Sequence, residues 1–170
     1  MKNIFILLLF LCSFTSTNAQ KILCHPTGSE PECFYAFMGL NEYIDDTNVV
    51  VMFNSMEPLH PAFQGITWQY NRYLYLVSIN AGVNEPSERL WTIFHEIGHV
   101  IDMYEGRLRQ FPMMWEDTVI KENLPWEERP WEQSAEEWAY RMWNRFMDIP
   151  SPYNPKLNMY KIQQHNCIKH

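Results

Sequence analysis

Two histidines four residues apart, with a glutamate directly after the first, form the segment of this chain best suited to catalysis. The segment is His95-Glu96-Ile97-Gly98-His99. On an α-helix, residues four apart lie on one face, so both imidazoles can bind one cation while the glutamate stands beside the water that the cation activates. Two neutral imidazole nitrogens and a carboxylate suit zinc. The spacing therefore predicts a zinc site with His95 and His99 as ligands and Glu96 as the catalytic general base.

The glycine inside this segment favours a functional interpretation over an ordinary pair of helix histidines. Glycine costs about 1 kcal/mol in a helix interior relative to alanine. Gly98 is therefore expected where another element, either a crossing helix or a ligand, comes close to the helix. The alternative is that two structural histidines flank an unrelated glutamate.

A catalytic zinc usually takes three protein ligands, so one more residue is needed. Asp102 is too far along the same helix, because its axial rise from the first histidine is about 10.5 Å. It could instead orient the His99 imidazole through the outer ring nitrogen, or be a solvated helix charge. A later segment with an apolar stripe carries Glu132 and Glu136 on one helical face. Either glutamate could reach the metal if the two helices pack together.

The rest of the pattern predicts the elements that must position these side chains. Pro86 begins the motif helix beside acidic residues, and Gly106 ends it. Apolar residues recur at helical spacing over residues 130–147, which predicts a second helix. We also predict a helix over residues 33–44, a buried strand over 48–53, a hairpin of strands 66–70 and 73–79, and a long irregular connection over 107–129. A sheet of about three strands follows.

Length and charge limit the class of protein. The chain has 170 residues, of which 46% are hydrophobic, so it can bury one core and is too short for several domains. Its formal net charge of -7 argues against a nucleic-acid partner, because proteins that bind phosphate backbones carry basic patches.

The start of the chain differs in composition from the remainder. Lys2, an apolar run over residues 4–12 and the small residue Ala19 are typical of a secretory signal peptide. We therefore expect a signal peptide over residues 1–19 and a mature domain over 20–170 that is secreted or periplasmic. The apolar run is shorter than the roughly 20 residues that span a membrane, so no transmembrane segment is expected. In an oxidising compartment, a disulfide could join Cys24 and Cys33.

These motifs resemble a known group of zinc peptidases. Residues 95–102 are similar to the active-site helix of the anthrax-lethal-factor-like catalytic domain, and residues 136–139 are similar to that group's acidic-x-aromatic-Ala segment. The resemblance covers residues 90–142 and is to the gluzincin arrangement of zincin metallopeptidases, whose third zinc ligand is a glutamate on a following helix. It implies Glu136 as the preferred third ligand and leaves Glu132, at a related spacing, as the alternative.

The resemblance also implies how a substrate would bind. It suggests that the strand over residues 73–79 is the edge strand that receives an extended peptide, by backbone pairing with little demand on substrate sequence. It leaves the acid that stabilises the transition state open among Tyr140, Tyr104 and His60.

The predicted fold is α+β, a minimal zincin-like domain with a small sheet, an HExxH active-site helix and a following helix that bears a glutamate. The predicted function is a secreted zinc metallopeptidase acting on a peptide or protein substrate. Zn²⁺ held by His95, His99 and Glu136 would activate a water, and Glu96 would transfer its proton to the leaving amine. The alternative is a non-catalytic secreted zincin-like module that binds a metal or a protein, since 15% aromatic residues suit an interface as well as a core.

Overall fold

The structure is a computed structural model that describes residues 22–24, 30–56, 63–80, 82–83, 85–121 and 123–147, with side chains omitted for 22–24, 30–33 and 55–56. The predicted signal peptide over residues 1–19 and the candidate acid His60 lie outside the described residues. The disulfide between Cys24 and Cys33 concerns side chains that are likewise outside the description. These points stay predictions.

The described residues form an α+β fold, as expected. The first half of the chain contains four strands and one helix, and the second half contains the motif helix, three short strands, a 3₁₀ turn and a final helix. In chain order the elements are β1 (Ile22–Cys24), α1 (Glu30–Tyr43), β2 (Val50–Met56), β3 (Gly65–Asn71), β4 (Leu74–Asn80), α2 (Pro86–Tyr104), β5 (Leu108–Gln110), β6 (Met113–Trp115), β7 (Thr118–Val119), a 3₁₀ turn (Trp126–Glu128) and α3 (Pro130–Phe146).

The main sheet has the strand order β1-β2-β4-β3. The predicted hairpin is confirmed, because β3 and β4 pair antiparallel with Gly65 opposite Ile79. The predicted buried strand is also confirmed as β2, which pairs parallel with β4 on the other side of that strand. The sheet has one strand more than expected, since the three-residue strand β1 pairs parallel with β2. A strand this short leaves no alternation that a sequence pattern could reveal.

The prediction that residues 73–79 form an edge strand is wrong. These residues belong to β4, which has hydrogen-bonded neighbours on both sides. Tyr75, Val77 and Ile79 of β4 are buried, as is expected of a strand inside a sheet. The edge strand beside the motif helix is β3 instead, and its Trp68 and Tyr70 are exposed.

The prediction of an irregular connection over residues 107–129 is also wrong in part. Residues 108–119 form a second, three-stranded sheet in the order β5-β6-β7. Strands of two or three residues are too short to show a period. The turn between β6 and β7 has positive φ angles of 47° at Glu116 and 65° at Asp117, the conformation of a type I′ hairpin turn. The usual Asn-Gly or Asp-Gly signal for that turn is absent here.

The predicted helices are confirmed with small shifts at their ends. Helix α2 begins at Pro86, where the missing N–H costs no hydrogen bond, and Gly106 follows its last turn with a φ of +78°. The three helices and the main sheet share one core, in which Phe94 of α2 packs edge-to-face on Trp143 of α3 at 6.4 Å between ring centroids. Among the described residues, no helix has both the length and the apolar character needed to cross a membrane.

Candidate metal centre

Helix α3 crosses α2 at the glycine of the motif. A Cβ atom on Gly98 would lie 2.9 Å from the Cα of Ala135 and 2.9 Å from the Cβ of Trp138. Real Cβ atoms do not approach other atoms so closely, so only glycine allows this crossing. The expected close approach at Gly98 is therefore confirmed, and the approaching element is a helix. This contact carries the acidic face of α3 to the two motif histidines.

Three side chains from α2 and α3 converge at the crossing. The Oε2 atom of Glu132 lies 3.2 Å from Nε2 of His95 and 3.5 Å from Nε2 of His99. The candidate ligand atoms of these residues all lie within 4.8 Å of one another. Trp131 donates its indole N–H to the other carboxylate oxygen of Glu132, at 3.0 Å, and so turns Oε2 toward the imidazoles. Two imidazole nitrogens and one carboxylate oxygen are a donor set that fits zinc.

Glu136, the preferred third ligand by resemblance, stands behind the first histidine. Its Oε1 lies 3.5 Å from Nδ1 of His95, on the ring edge that faces away from Glu132. A carboxylate at that nitrogen can fix the tautomer and orientation of a ligand imidazole. Ligation by Glu136 stays a prediction, but the distances favour the alternative, Glu132. The two glutamates share a helix face one turn apart, so only the position of the crossing distinguishes them.

The carboxylates of α3 control the charge of the first histidine. Burial by itself would lower the pKa of His95, but hydrogen bonds with Glu132 and Glu136 outweigh burial and raise it to about 10. Burial likewise opposes ionisation of Glu132, yet its contacts with His95 and His99 hold the pKa of Glu132 well below the usual range. Both shifts indicate a site that favours positive charge between α2 and α3.

The sequence allowed two interpretations of Asp102, and the one that made it a solvated helix charge is wrong. The residue is fully buried. Its Oδ1 accepts hydrogen bonds from Arg107 at 3.0 Å and from the indole N–H of Trp138 at 3.1 Å. Burial raises the pKa of Asp102 against the effect of these donors and of Ser134. Among the described residues, its Oδ2 and Nδ1 of His99 are both buried without a partner. Orientation of His99 by Asp102 therefore stays a prediction.

Glu96, the predicted general base, lies between α2 and the edge strand β3 and is only 4% exposed. The hydroxyl of Thr67 donates to Oε2 of Glu96 at 2.6 Å. A Cβ atom on Gly65 would lie 2.6 Å from Oε1 of the same carboxylate, so a larger residue there would displace the Glu96 side chain from this position. Sequence reasoning missed Thr67 and Gly65. The one available signal was a glycine at the start of a β-prone run.

These side chains line a cleft of about 680 Å³ between the helix pair and β3. Its walls combine the polar groups described above with apolar and aromatic side chains, among them Phe63, Ile66, Trp91, Met103, Leu108, Met113 and Trp126. A large concave pocket with a few converging polar groups is the usual form of a small-molecule or peptide site.

Neither described candidate for the transition-state acid lines this cleft. Tyr104 donates its hydroxyl to Asp46 at 3.4 Å, and Tyr140 is 38% exposed on α3. Apart from the two histidines, the basic side chain in the cleft lining is Arg129, whose Nε donates to the backbone oxygen of Leu124 at 2.9 Å.

The chain matches no protein-family model, no curated protein and no solved structure. What the protein does must therefore be inferred from the geometry of these side chains.

Proposed function

We propose that this protein is a zinc-dependent metallopeptidase in which His95, His99 and Glu132 hold the metal. The observation that carries the proposal is the position of one Glu132 oxygen, 3.2 Å and 3.5 Å from the Nε2 atoms of the two histidines. With Glu132 in place of Glu136, the ligand set still corresponds to the gluzincin arrangement that the sequence resembles.

A zinc ion at this position would polarise a carbonyl and lower the pKa of a water molecule. The protein's own residues have separate tasks around it. Glu96 takes a proton from the attacking water and returns it to the leaving amine. The hydroxyl of Thr67 holds the Glu96 carboxylate on the cleft side of β3. Glu136, whose Oε1 lies 3.5 Å from Nδ1 of His95, would hold that edge of the ring and so leave Nε2 for the metal.

The substrate is proposed to be a peptide in extended form. Strand β3 is the edge of the main sheet beside the cleft. The unpaired N–H and C=O groups of an edge strand bind any extended peptide through its backbone, and pockets along the strand then select side chains. Secretion after removal of residues 1–19 remains part of the proposal.

Metal content is the first test of this function. We expect the purified protein to bind about one zinc ion per chain after reconstitution. Removal of zinc by a chelator should stop peptide hydrolysis and leave the far-ultraviolet circular dichroism spectrum largely unchanged. Unfolding on chelation would indicate a structural zinc and favour the non-catalytic module. Absence of zinc binding would contradict the proposal.

Substitution of the base is the second test. Glu96→Gln keeps the size of the side chain and removes its ability to accept a proton, so peptide hydrolysis should fall by at least about a hundredfold while zinc content is retained. Glu88→Gln is the matched control, because Glu88 is exposed in the first turn of the same helix. Wild-type hydrolysis by Glu96→Gln would rule out Glu96 as the general base.

A further inference from the structure

The outer edge of β3 presents backbone groups at every second residue. Gln64 accepts a hydrogen bond from the N–H of Asn80, which follows the antiparallel register of β3 and β4. Because successive residues of a strand point their backbone groups to opposite sides, Gly65, Thr67 and Gln69 direct theirs away from β4. These three residues form the edge on which an extended peptide could add to the sheet.

One side chain already occupies part of this edge. Gln110, the last residue of β5, donates its amide N–H to the backbone oxygen of Thr67 at 2.9 Å. Its amide oxygen accepts the backbone N–H of Gln69 at 3.0 Å. In both parallel and antiparallel pairing, an added strand would use this same pair of groups, the C=O before Trp68 and the N–H after it. The Gln110 amide therefore takes the place of a strand backbone.

The position of Gln110 is set by the second sheet. It pairs with Met113 in the ladder between β5 and β6, which anchors its backbone opposite β3. Its side chain lines the same cleft as Glu96 and the metal ligands. The contacts to β3 span sequence separations of 41 and 43 residues, so the two sheets must be in place before they can form.

We propose that Gln110 is a specificity-determining residue that ends the substrate-binding edge of β3 at Thr67. The inference rests on the proposed peptidase function and adds the class of substrate. On the Gly65 side of Gln110, the outward groups that it does not use are the N–H and C=O of Gly65 and the N–H of Thr67, whereas the C=O of Gln69 lies on its far side. The groups of Gly65 and Thr67 lie beside Glu96, which touches both residues. A peptide can therefore pair with β3 next to the base and continue past Gly65, but it cannot continue past Thr67.

This closure predicts peptides that are cut near one end. Outward-facing positions on a strand are about 6.8 Å apart, which is two residues of an extended peptide. A substrate paired with Gly65 and Thr67 therefore ends opposite Thr67, where Gln110 holds the backbone C=O, and this end lies within about two residues of the bond beside Glu96. The expected substrate class is peptides whose cleaved bond lies within about two residues of one end, with free extension on the other side.

The test uses a series of peptides that are lengthened one residue at a time at the N-terminal or the C-terminal end. The starting peptide is the shortest one that the protein binds or cleaves. Affinity is measured by fluorescence anisotropy on the zinc-loaded Glu96→Gln protein, so that binding is read without turnover. We expect extension on one side to be tolerated and extension on the other, beyond about two residues, to weaken binding at least about tenfold, as the loss of two backbone hydrogen bonds would.

The variants assign that limit to Gln110. In Gln110→Ala, the ratio of long-peptide to short-peptide affinity should rise by about tenfold. Gln110→Glu should act in the same direction, because it places an oxygen against the Thr67 carbonyl while keeping the side chain's size. Arg109→Ala is the matched control, since Arg109 is the preceding residue of β5 and its side chain is exposed in an ion pair with Asp117. It should keep the wild-type length profile.

Separate results would overturn the closure and the peptidase function. Equal tolerance of extension on both sides, no peptide binding at all, or an equal gain for short and long peptides in Gln110→Ala would each overturn the closure. Hydrolysis of any peptide by the wild-type protein would then still support the proposed function. A one-sided limit that Gln110→Ala removes supports the closure even if no peptide is cleaved. Faster hydrogen exchange of the Gln69 amide in Gln110→Ala would confirm that the substitution acts at this edge.

Discussion

The two walls of the cleft are built in different ways. The helical wall takes its two histidines and its base from five consecutive residues of α2, and a helix turn sets their geometry. The strand wall takes Gly65 and Thr67 from β3 and Gln110 from another sheet, 43 residues after Thr67. The proposed ligands on α2 and the proposed base are therefore close in the sequence, whereas the groups proposed to hold the base and to limit the substrate come together only on folding.

Loss of the third ligand should have the largest effect, and it falls on the helical wall. Glu132→Ala removes the oxygen nearest to both imidazoles. Loss of a residue that only orients a ligand lowers metal affinity by at most roughly a hundredfold, so the loss of zinc affinity in Glu132→Ala should be larger than that. Glu136→Ala should lower it by about 10-fold to 100-fold. Glu137→Ala, exposed on the same helix, is the control. Competition with a chelating dye measures all three affinities, and a larger loss in Glu136→Ala would reverse the ligand assignment.

The contact between the two walls should have the next largest effect. Thr67→Val keeps the shape of the side chain but removes the hydroxyl that donates to Glu96. A hydrogen bond to a charged group contributes about 1.5–3 kcal/mol, so kcat should fall by roughly tenfold to a hundredfold with zinc content retained. Thr67→Ser should recover most of the activity, because it restores the donor. If Thr67→Ser were as impaired as Thr67→Val, the hydroxyl would not be what positions Glu96.

Adding a side chain at the tight helix crossing should have a smaller effect, which is measured as a change in the free energy of unfolding. Gly98→Ala places a methyl group against the backbone of α3 at Ala135. Overpacking of this kind costs about 1–3 kcal/mol, and the better helix propensity of alanine returns about 1 kcal/mol. Because the blocking atom is the backbone Cα of Ala135, the overpacking cost should lie in the upper part of that range, about 2–3 kcal/mol. Urea unfolding of the zinc-free protein should therefore show a net loss of about 1–2 kcal/mol. Glu88→Ala is the control on the same helix, and an unchanged midpoint in Gly98→Ala would contradict the tight crossing.

The smallest effect should come from the outer side of the second sheet. Arg109 and Asp117 form an ion pair at 3.0 Å whose side chains are 53% and 82% exposed. Such pairs contribute little because water and salt screen them. Arg109→Ala should change the free energy of unfolding by less than about 1 kcal/mol, as measured by urea unfolding at low and high salt. A larger, salt-sensitive loss would mean that the strand wall depends on charge as well as on backbone pairing.

Sequence patterns predicted the elements with strong periodicity. The three helices and the hairpin occur where the apolar spacing, Pro86, Gly106 and Pro130 indicated them. They failed for short strands, since β1 and the strands of the second sheet have three residues or fewer. They also failed for the place of β4 in the sheet, because an apolar run does not reveal which strands lie on either side of it.

The residues of the candidate site show the same difference between local patterns and contacts between distant elements. His95, Glu96 and His99 follow from spacing alone, because a helix fixes residues four apart on one face whatever surrounds it. Spacing alone does not decide between Glu132 and Glu136 as the third ligand. One turn of α3 separates them, so a shift of the helix crossing by that distance would exchange their roles.

By itself, then, the sequence determined the helix that carries the histidines and the proposed base, and the glycine that lets another helix approach it. Only the tertiary structure decided which glutamate meets the imidazoles, which strand forms the edge of the cleft and where Gln110 meets that edge. The physical reason is the separation along the chain of the residues that must meet. Backbone geometry fixes neighbours along a helix, whereas contacts between separate elements depend on how whole surfaces pack.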